Sequence, residues 1–70
     1  MVTDQALLQD WLQLIRAEFD ELPDLRLTQL QVEKLWGVDA TLAEAVLGAL
    51  VAAGFLKRTR QGAYMRNDAR

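Results

Sequence analysis

The stretch from Leu27 to Arg66 constrains the fold more than any other part of the chain, because helix caps and glycines divide it into short elements. Thr28 is followed three residues later by a glutamine, which is the spacing of a capping box that opens a helix. Gly37 and Gly54 stand where two successive helices are expected to end. Gly62 lies between two short runs that suit strands. The pattern predicts two helices followed by a β-hairpin.

A further helix is predicted ahead of this stretch. Apolar residues recur at three- and four-residue intervals from about Asp4 to Leu22, and Pro23 ends the run because it disfavours helical geometry in the residue before it. The alternating run 24–27 suits a brief strand that pairs with the hairpin. The predicted bounds are 4–22 for α1, 24–27 for β1, 29–36 for α2, 40–53 for α3 and 55–66 for the hairpin of β2 and β3. The predicted fold is mainly α with a small β-hairpin (α+β), one domain over residues 1–70 in the order α1-β1-α2-α3-β2-β3.

Spacing also assigns apolar side chains to the core. On α2, Leu30 and Leu35 are expected to face inward, with Val32 as a further candidate. Both tryptophans lie on apolar faces and are expected in the core. Tyr64 is expected to cover α3 with its hydroxyl in water.

The first helix carries more apolar surface than one buried face requires. Leu7 and Leu14 flank its apolar stripe, and Trp11 lies between them. These side chains either border the core or contact the same helix of a second copy. A chain of 70 residues has a thin core, so association is a reasonable source of stability. Leu7, Trp11 and Leu14 are therefore the predicted interface of a homodimer.

Composition narrows the chemistry. The chain has no cysteine, no histidine and no serine, which excludes disulfides, thiolate or imidazole metal sites and the usual nucleophiles. The acidic cluster Asp20, Glu21 and Asp24 is expected to be a solvated corner. We expect no enzyme, no cofactor and no metal. The N-terminus lacks a signal-peptide pattern and no apolar run reaches membrane-spanning length, which predicts a cytoplasmic protein with no membrane partner.

Charge is distributed unevenly along the chain. Residues 1–54 contain three cations against nine acids, which gives −6, whereas residues 55–70 contain five cations against one acid, which gives +4. The sum is the net charge of −2. A basic edge of this kind can bind a polyanion even on an acidic protein.

Three segments carry a resemblance to a known family. LTQLQVEKLWGVD, LGALVAAGFL and RTRQGAYMR together resemble the winged helix-turn-helix domains of bacterial regulators, and especially small bacterial winged-helix proteins of this length whose role is largely uncharacterised. The resemblance covers Leu27 to Arg66. It implies a double-stranded DNA partner, a role in transcription regulation, and α3 as the helix that enters the major groove.

The hairpin is the segment best suited to contact DNA. Its basic residues can reach one line of phosphates and supply affinity without sequence information; they are Lys57, Arg58, Arg60 and Arg66. Gln29 and Thr41, near the starts of α2 and α3, are further candidate contacts. An alternative interpretation is that the hairpin charges protect an edge strand from aggregation.

The predicted reading helix does not fit base recognition. Residues 39–53 contain no Lys, Arg, Asn or Gln, and Glu44 would repel phosphates. Small residues make the remaining face smooth enough to admit a partner helix. The sequence therefore favours DNA binding through the hairpin, with a winged-helix protein-interaction module, its partner on α3, as the alternative.

Overall fold

A computed structural model describes residues 3–67, with side chains from residue 7 onward. Three helices and three strands follow one another as α1 (Thr3–Glu21), β1 (Leu27–Thr28), α2 (Gln29–Trp36), α3 (Ala40–Ala52), β2 (Leu56–Arg58) and β3 (Ala63–Arg66). The mixed α+β class and the element order are confirmed. Each predicted helix bound lies within one residue of the observed one.

Side-chain caps fix the starts of α2 and α3. The backbone N–H of Gln31 donates to Oγ1 of Thr28 at 3.2 Å, and the N–H of Thr28 donates to Oε1 of Gln31 at 2.8 Å. This reciprocal pair is the predicted capping box. Asp39 begins α3 in the same manner, since its Oδ1 accepts from the N–H of Leu42 at 2.8 Å. The cap satisfies a backbone donor that the helix itself leaves unpaired.

Glycine ends α3 as predicted. Gly54 has φ of 82°, in the left-handed region that side chains with a Cβ rarely adopt. Its N–H donates to the carbonyl of Val51 at 2.9 Å, and the N–H of Phe55 donates to the carbonyl of Leu50 at 3.0 Å. These two bonds form a Schellman motif, which reverses the chain directly into β2.

The sheet places the last strand in the middle, in the order β1-β3-β2, with both pairs antiparallel. Leu27 lies opposite Tyr64, which confirms that a short strand before α2 pairs with the hairpin. The strand is Leu27–Thr28, so only Leu27 of the predicted run 24–27 belongs to it. Residues facing each other across strands share a side of the sheet. Leu27, Leu56 and Tyr64 therefore lie on the core side, while Met65 lies on the other.

The core lies between the three helices and the sheet. Among the described residues, half of the fully or almost fully buried side chains come from α3, and the set consists of Ile15, Phe19, Val32, Ala43, Val46, Leu47, Leu50 and Leu56. Trp11, Trp36 and Tyr64 are half-buried and pack against this cluster, so the two tryptophans border the core and are not enclosed in it. No residue with a polar or charged side chain is buried within the described part of the chain.

The prediction for the inward face of α2 was wrong for Leu30 and Leu35 and right for Val32. Leu30 and Leu35 are 58% and 62% exposed, whereas Val32 is fully buried. Strand pairing and the capping box fix Thr28, so the residues four and eight positions later face inward, and these are Val32 and Trp36. An eight-residue helix has room for one such face, which leaves both leucines on the surface.

Candidate nucleic-acid interface

Three exposed cations surround the end of the β2–β3 hairpin. Lys57 and Arg58 lie on β2, and Arg60 lies in the turn between the strands. Lys57 is opposite Met65 and Arg58 is opposite Tyr64, so the two cations lie on opposite faces of an edge strand. Within residues 3–67 none of the three forms an ion pair. All three are accessible to an external anion.

The turn itself has a defined hydrogen-bond pattern. The N–H of Gly62 donates to the carbonyl of Thr59 at 3.0 Å, and the N–H of Thr59 donates to the carbonyl of Ala63 at 2.7 Å. Oγ1 of Thr59 also accepts from the N–H of Ala63 at 3.1 Å. These bonds enclose a three-residue loop with a left-handed glycine, a common hairpin connection. The loop holds Arg60 at the tip.

Arg66, the fourth predicted phosphate contact, lies apart from the other three. It is opposite Leu56 on the core side, at the end of β3 farthest from the turn. Its separation from Gly62 corresponds to about 13 Å of extended strand. Its Nη1 atom lies 3.6 Å from Oδ1 of Asp20, in the last turn of α1. The structure places Arg66 against the helical body, not at the hairpin tip.

Gln29, a predicted DNA contact, is engaged within the molecule. Its side-chain Nε2 donates to Oε2 of Glu33 at 3.2 Å and to the backbone carbonyl of Ala40 at 3.4 Å. The second bond joins the start of α2 to the first turn of α3. Gln29 therefore positions the two helices relative to each other. Thr41, the other predicted contact near these helix starts, is exposed.

The outward face of α3 carries almost no charge. Thr41, Ala45 and Gly48 are exposed along one side, and Glu44 is the only charged residue of the helix. The usual readers of base edges are Arg, Lys, Asn and Gln, and α3 contains none of them. The outward face of α3 therefore lacks the side chains that usually read base edges, and Thr41 is its one hydroxyl donor.

A groove runs between the first half of α1 and the start of α3. It encloses about 580 Å³ and is lined by Leu7, Leu8, Trp11, Gly37, Val38, Asp39, Thr41, Leu42 and Ala45. Two of the three predicted interface residues, Leu7 and Trp11, line it. Leu14 is 45% exposed but does not. The structure thus joins the predicted interface to the outward face of α3.

Two surface features were not predicted. Leu25 and Leu27 pack against the core, while Arg26 between them is exposed. Continuing the β1–β3 register by one residue sets Arg26 beside Met65, on the face that carries Lys57. The Leu-Arg-Leu alternation is the sequence signal from which the exposed position of Arg26 could have been predicted. The other feature is a cavity of about 430 Å³ at the exposed Leu35 of α2, lined by Leu27, Gln31, Lys34 and Leu35.

Other classes of site have no counterpart in residues 3–67. No three His, Cys, Asp or Glu side chains of that segment are arranged to hold a metal ion. No single helix of the same segment is long and apolar enough to cross a bilayer; α2 and α3 reach that length and hydropathy only together, bent by 118°.

Comparison of the chain with protein-family models, with curated proteins and with solved structures finds no match. The three helices and small antiparallel sheet are compatible with a winged-helix layout on their geometry alone.

Proposed function

We propose that this chain is a winged-helix protein of regulatory type that binds duplex DNA through phosphate contacts from its hairpin. The observation that carries the proposal is the grouping of Lys57, Arg58 and Arg60, exposed and without an acidic partner in the described residues, around one hairpin end. Phosphate oxygens accept from such cations, and several contacts along one strand of DNA add up to useful affinity.

In this proposal α3 lies near the DNA but does not read its base sequence. Thr41 can donate to a phosphate or a base at the start of the helix. Glu44 repels phosphates, so its side chain has to lie away from the sugar-phosphate backbone of the DNA. Specificity from base edges is therefore weak, and binding depends on charge. Three phosphate contacts correspond to a slope of about −3 in a plot of log affinity against log salt concentration.

The test is a salt titration of binding to a short labelled duplex, followed by fluorescence anisotropy. We expect the wild-type affinity to fall with the slope given above, and the triple variant Lys57→Ala, Arg58→Ala, Arg60→Ala to lose most of the binding. Lys34→Ala removes an exposed cation from α2, away from the hairpin, and is the matched control for the single change Arg60→Ala. Absence of binding by the wild type at about 50 mM salt would refute the proposal.

A second candidate function is a winged-helix module that binds proteins. The groove between α1 and α3 favours it, because Trp11 and Leu7 leave apolar surface open beside a helix face with no cation. The predicted homodimer through Leu7, Trp11 and Leu14 is one form of this function. Size-exclusion chromatography with light scattering separates monomer from dimer, and Leu14→Ser is the variant that tests the dimer without changing the groove.

A further inference from the structure

The groove between α1 and α3 has the composition of a side-chain binding site. Its described lining residues are leucine, valine, alanine, glycine and one tryptophan, with Asp39 and Thr41 as the only polar side chains among them. Leu7 is 47% exposed and Trp11 is half-buried, so large apolar surfaces are open to a ligand. Aromatic side chains in such partly open positions supply much of the binding energy at protein interfaces.

The described side chains at the groove carry acidic charge. Asp39 is the one charged residue among those that line it, and Glu44 is exposed on α3 next to the lining residue Ala45. Residues 7–15 and 35–45, which contain all of these lining residues, include Asp10, Asp39 and Glu44 and no Lys or Arg. An apolar site of this charge attracts a partner whose apolar residues are flanked by cations, and it disfavours an acidic one.

The small number of polar groups in the groove favours a helical partner over an extended one. An extended peptide brings backbone N–H and C=O groups that need partners, and among the described lining residues only Asp39 and Thr41 have polar side chains. The carboxylate of Asp39 already accepts from the N–H of Leu42. A helix satisfies its own backbone and presents side chains at three- and four-residue spacing.

A second copy of this chain does not supply such a helix. Residues 3–21 contain five acids and one cation, which gives −4. The helix α2 is neutral, with Glu33 and Lys34, and α3 carries Glu44 alone. Half of the eight cations of the chain lie on its hairpin, which is not an amphipathic helix, and the other four are spread singly along the sequence.

We propose that the groove between α1 and α3 binds a basic amphipathic helix of another protein. This inference deepens the second candidate function and does not depend on DNA binding by the hairpin. The bound helix covers Thr41 and Ala45, so it occupies the face that α3 would present to a DNA groove.

Selection from a displayed library of amphipathic helices tests the proposal. Apolar positions are varied, and flanking positions are Lys or Glu at equal frequency. We expect helices with Lys flanks to be selected, and exchange of those lysines for glutamate in the synthetic peptide to weaken binding at least about tenfold. The double variant Asp39→Asn, Glu44→Gln should reduce that preference, and asparagine preserves the helix cap.

Two matched variants locate the site. Leu7→Ser should weaken peptide binding by about tenfold or more. Leu30→Ser, the same substitution at an exposed leucine of α2, should leave peptide binding unchanged. The hairpin triple variant should bind the peptide as the wild type does.

Other outcomes contradict the proposal in different ways. Selection of Glu-flanked helices overturns the partner chemistry and leaves the interaction module standing. Selection of no helix overturns both. Equal loss in Leu7→Ser and Leu30→Ser, or loss in the hairpin variant, places the site elsewhere. A homodimer that Leu7→Ser dissociates makes a second copy the occupant. None of these results changes the outcome of the DNA titration.

Discussion

Nη1 of Arg66 lies 3.6 Å from Oδ1 of Asp20, which links the last strand of the sheet to the last turn of the first helix. The relationship divides the basic residues of the hairpin into two groups. Lys57, Arg58 and Arg60 form no ion pair with the described residues, whereas Arg66 pairs with Asp20. The two groups are expected to behave differently towards DNA and towards folding.

Arg60→Ala is expected to weaken duplex DNA binding and to lower the salt slope by about 1, because it removes one phosphate contact at the hairpin tip. Arg66→Ala removes the same charge from a residue held against α1, and the slope should stay unchanged. Anisotropy titrations at several salt concentrations give both slopes. If Arg66→Ala changes the slope as much as Arg60→Ala, then Arg66 contacts DNA in spite of Asp20.

Asp20→Asn is expected to lower the free energy of unfolding by less than about 1 kcal/mol, because the ion pair is long and its aspartate is well exposed. Glu21→Gln is the control, since it neutralises the next residue along α1. Urea unfolding measures both. A loss of several kcal/mol in Asp20→Asn alone would show that the pair stabilises the fold far more than a surface ion pair does.

Leu47→Ala and Leu35→Ala are the same chemical change in two environments. Leu47 is fully buried on α3, so its truncation should cost about 2–5 kcal/mol through lost burial and an unfilled cavity. Leu35 is 62% exposed, and its truncation should cost less than about 0.5 kcal/mol. Thermal or urea unfolding compares them. Similar losses would mean that α2 buries Leu35, as its sequence spacing had predicted.

Thr28→Ala is expected to destabilise the chain by about 1 kcal/mol, because Gln31 loses the acceptor for its backbone N–H. Thr28→Ser keeps a hydroxyl in the same position and should restore most of the stability. Thr41→Ala is a control at an exposed threonine that caps no helix. Circular dichroism during urea unfolding measures the free energy of unfolding of each variant. Equal stability of Thr28→Ala and wild type would show that the capping box does not stabilise the fold.

Local signals predicted the elements well. Thr28 and Asp39 begin helices and Gly54 ends one through bonds that span only a few residues, so the sequence pattern contains nearly all the information needed. The existence of the hairpin follows from similar short-range signals around Gly62.

Contacts between distant residues could not be predicted in this way. The rotation of α2 is set by the pairing of Leu27 with Tyr64, which is far away in sequence, and this pairing buries Val32 in place of the two leucines. The partner of Arg66 lies on α1, and no local pattern identifies it. The groove likewise joins Trp11 to Ala45 only after α1 and α3 have packed.

The central position of β3 also sets an order in which the chain can become native. Its two neighbours, β1 and β2, precede it in the sequence, so neither of them can pair with β3 until residues 63–66 have been synthesised. The β2–β3 ladder closes a short loop and forms at little entropic cost, whereas β1 has to join across the whole of α2 and α3. A nascent chain that has completed all three helices therefore still lacks the pairing that orients the second one.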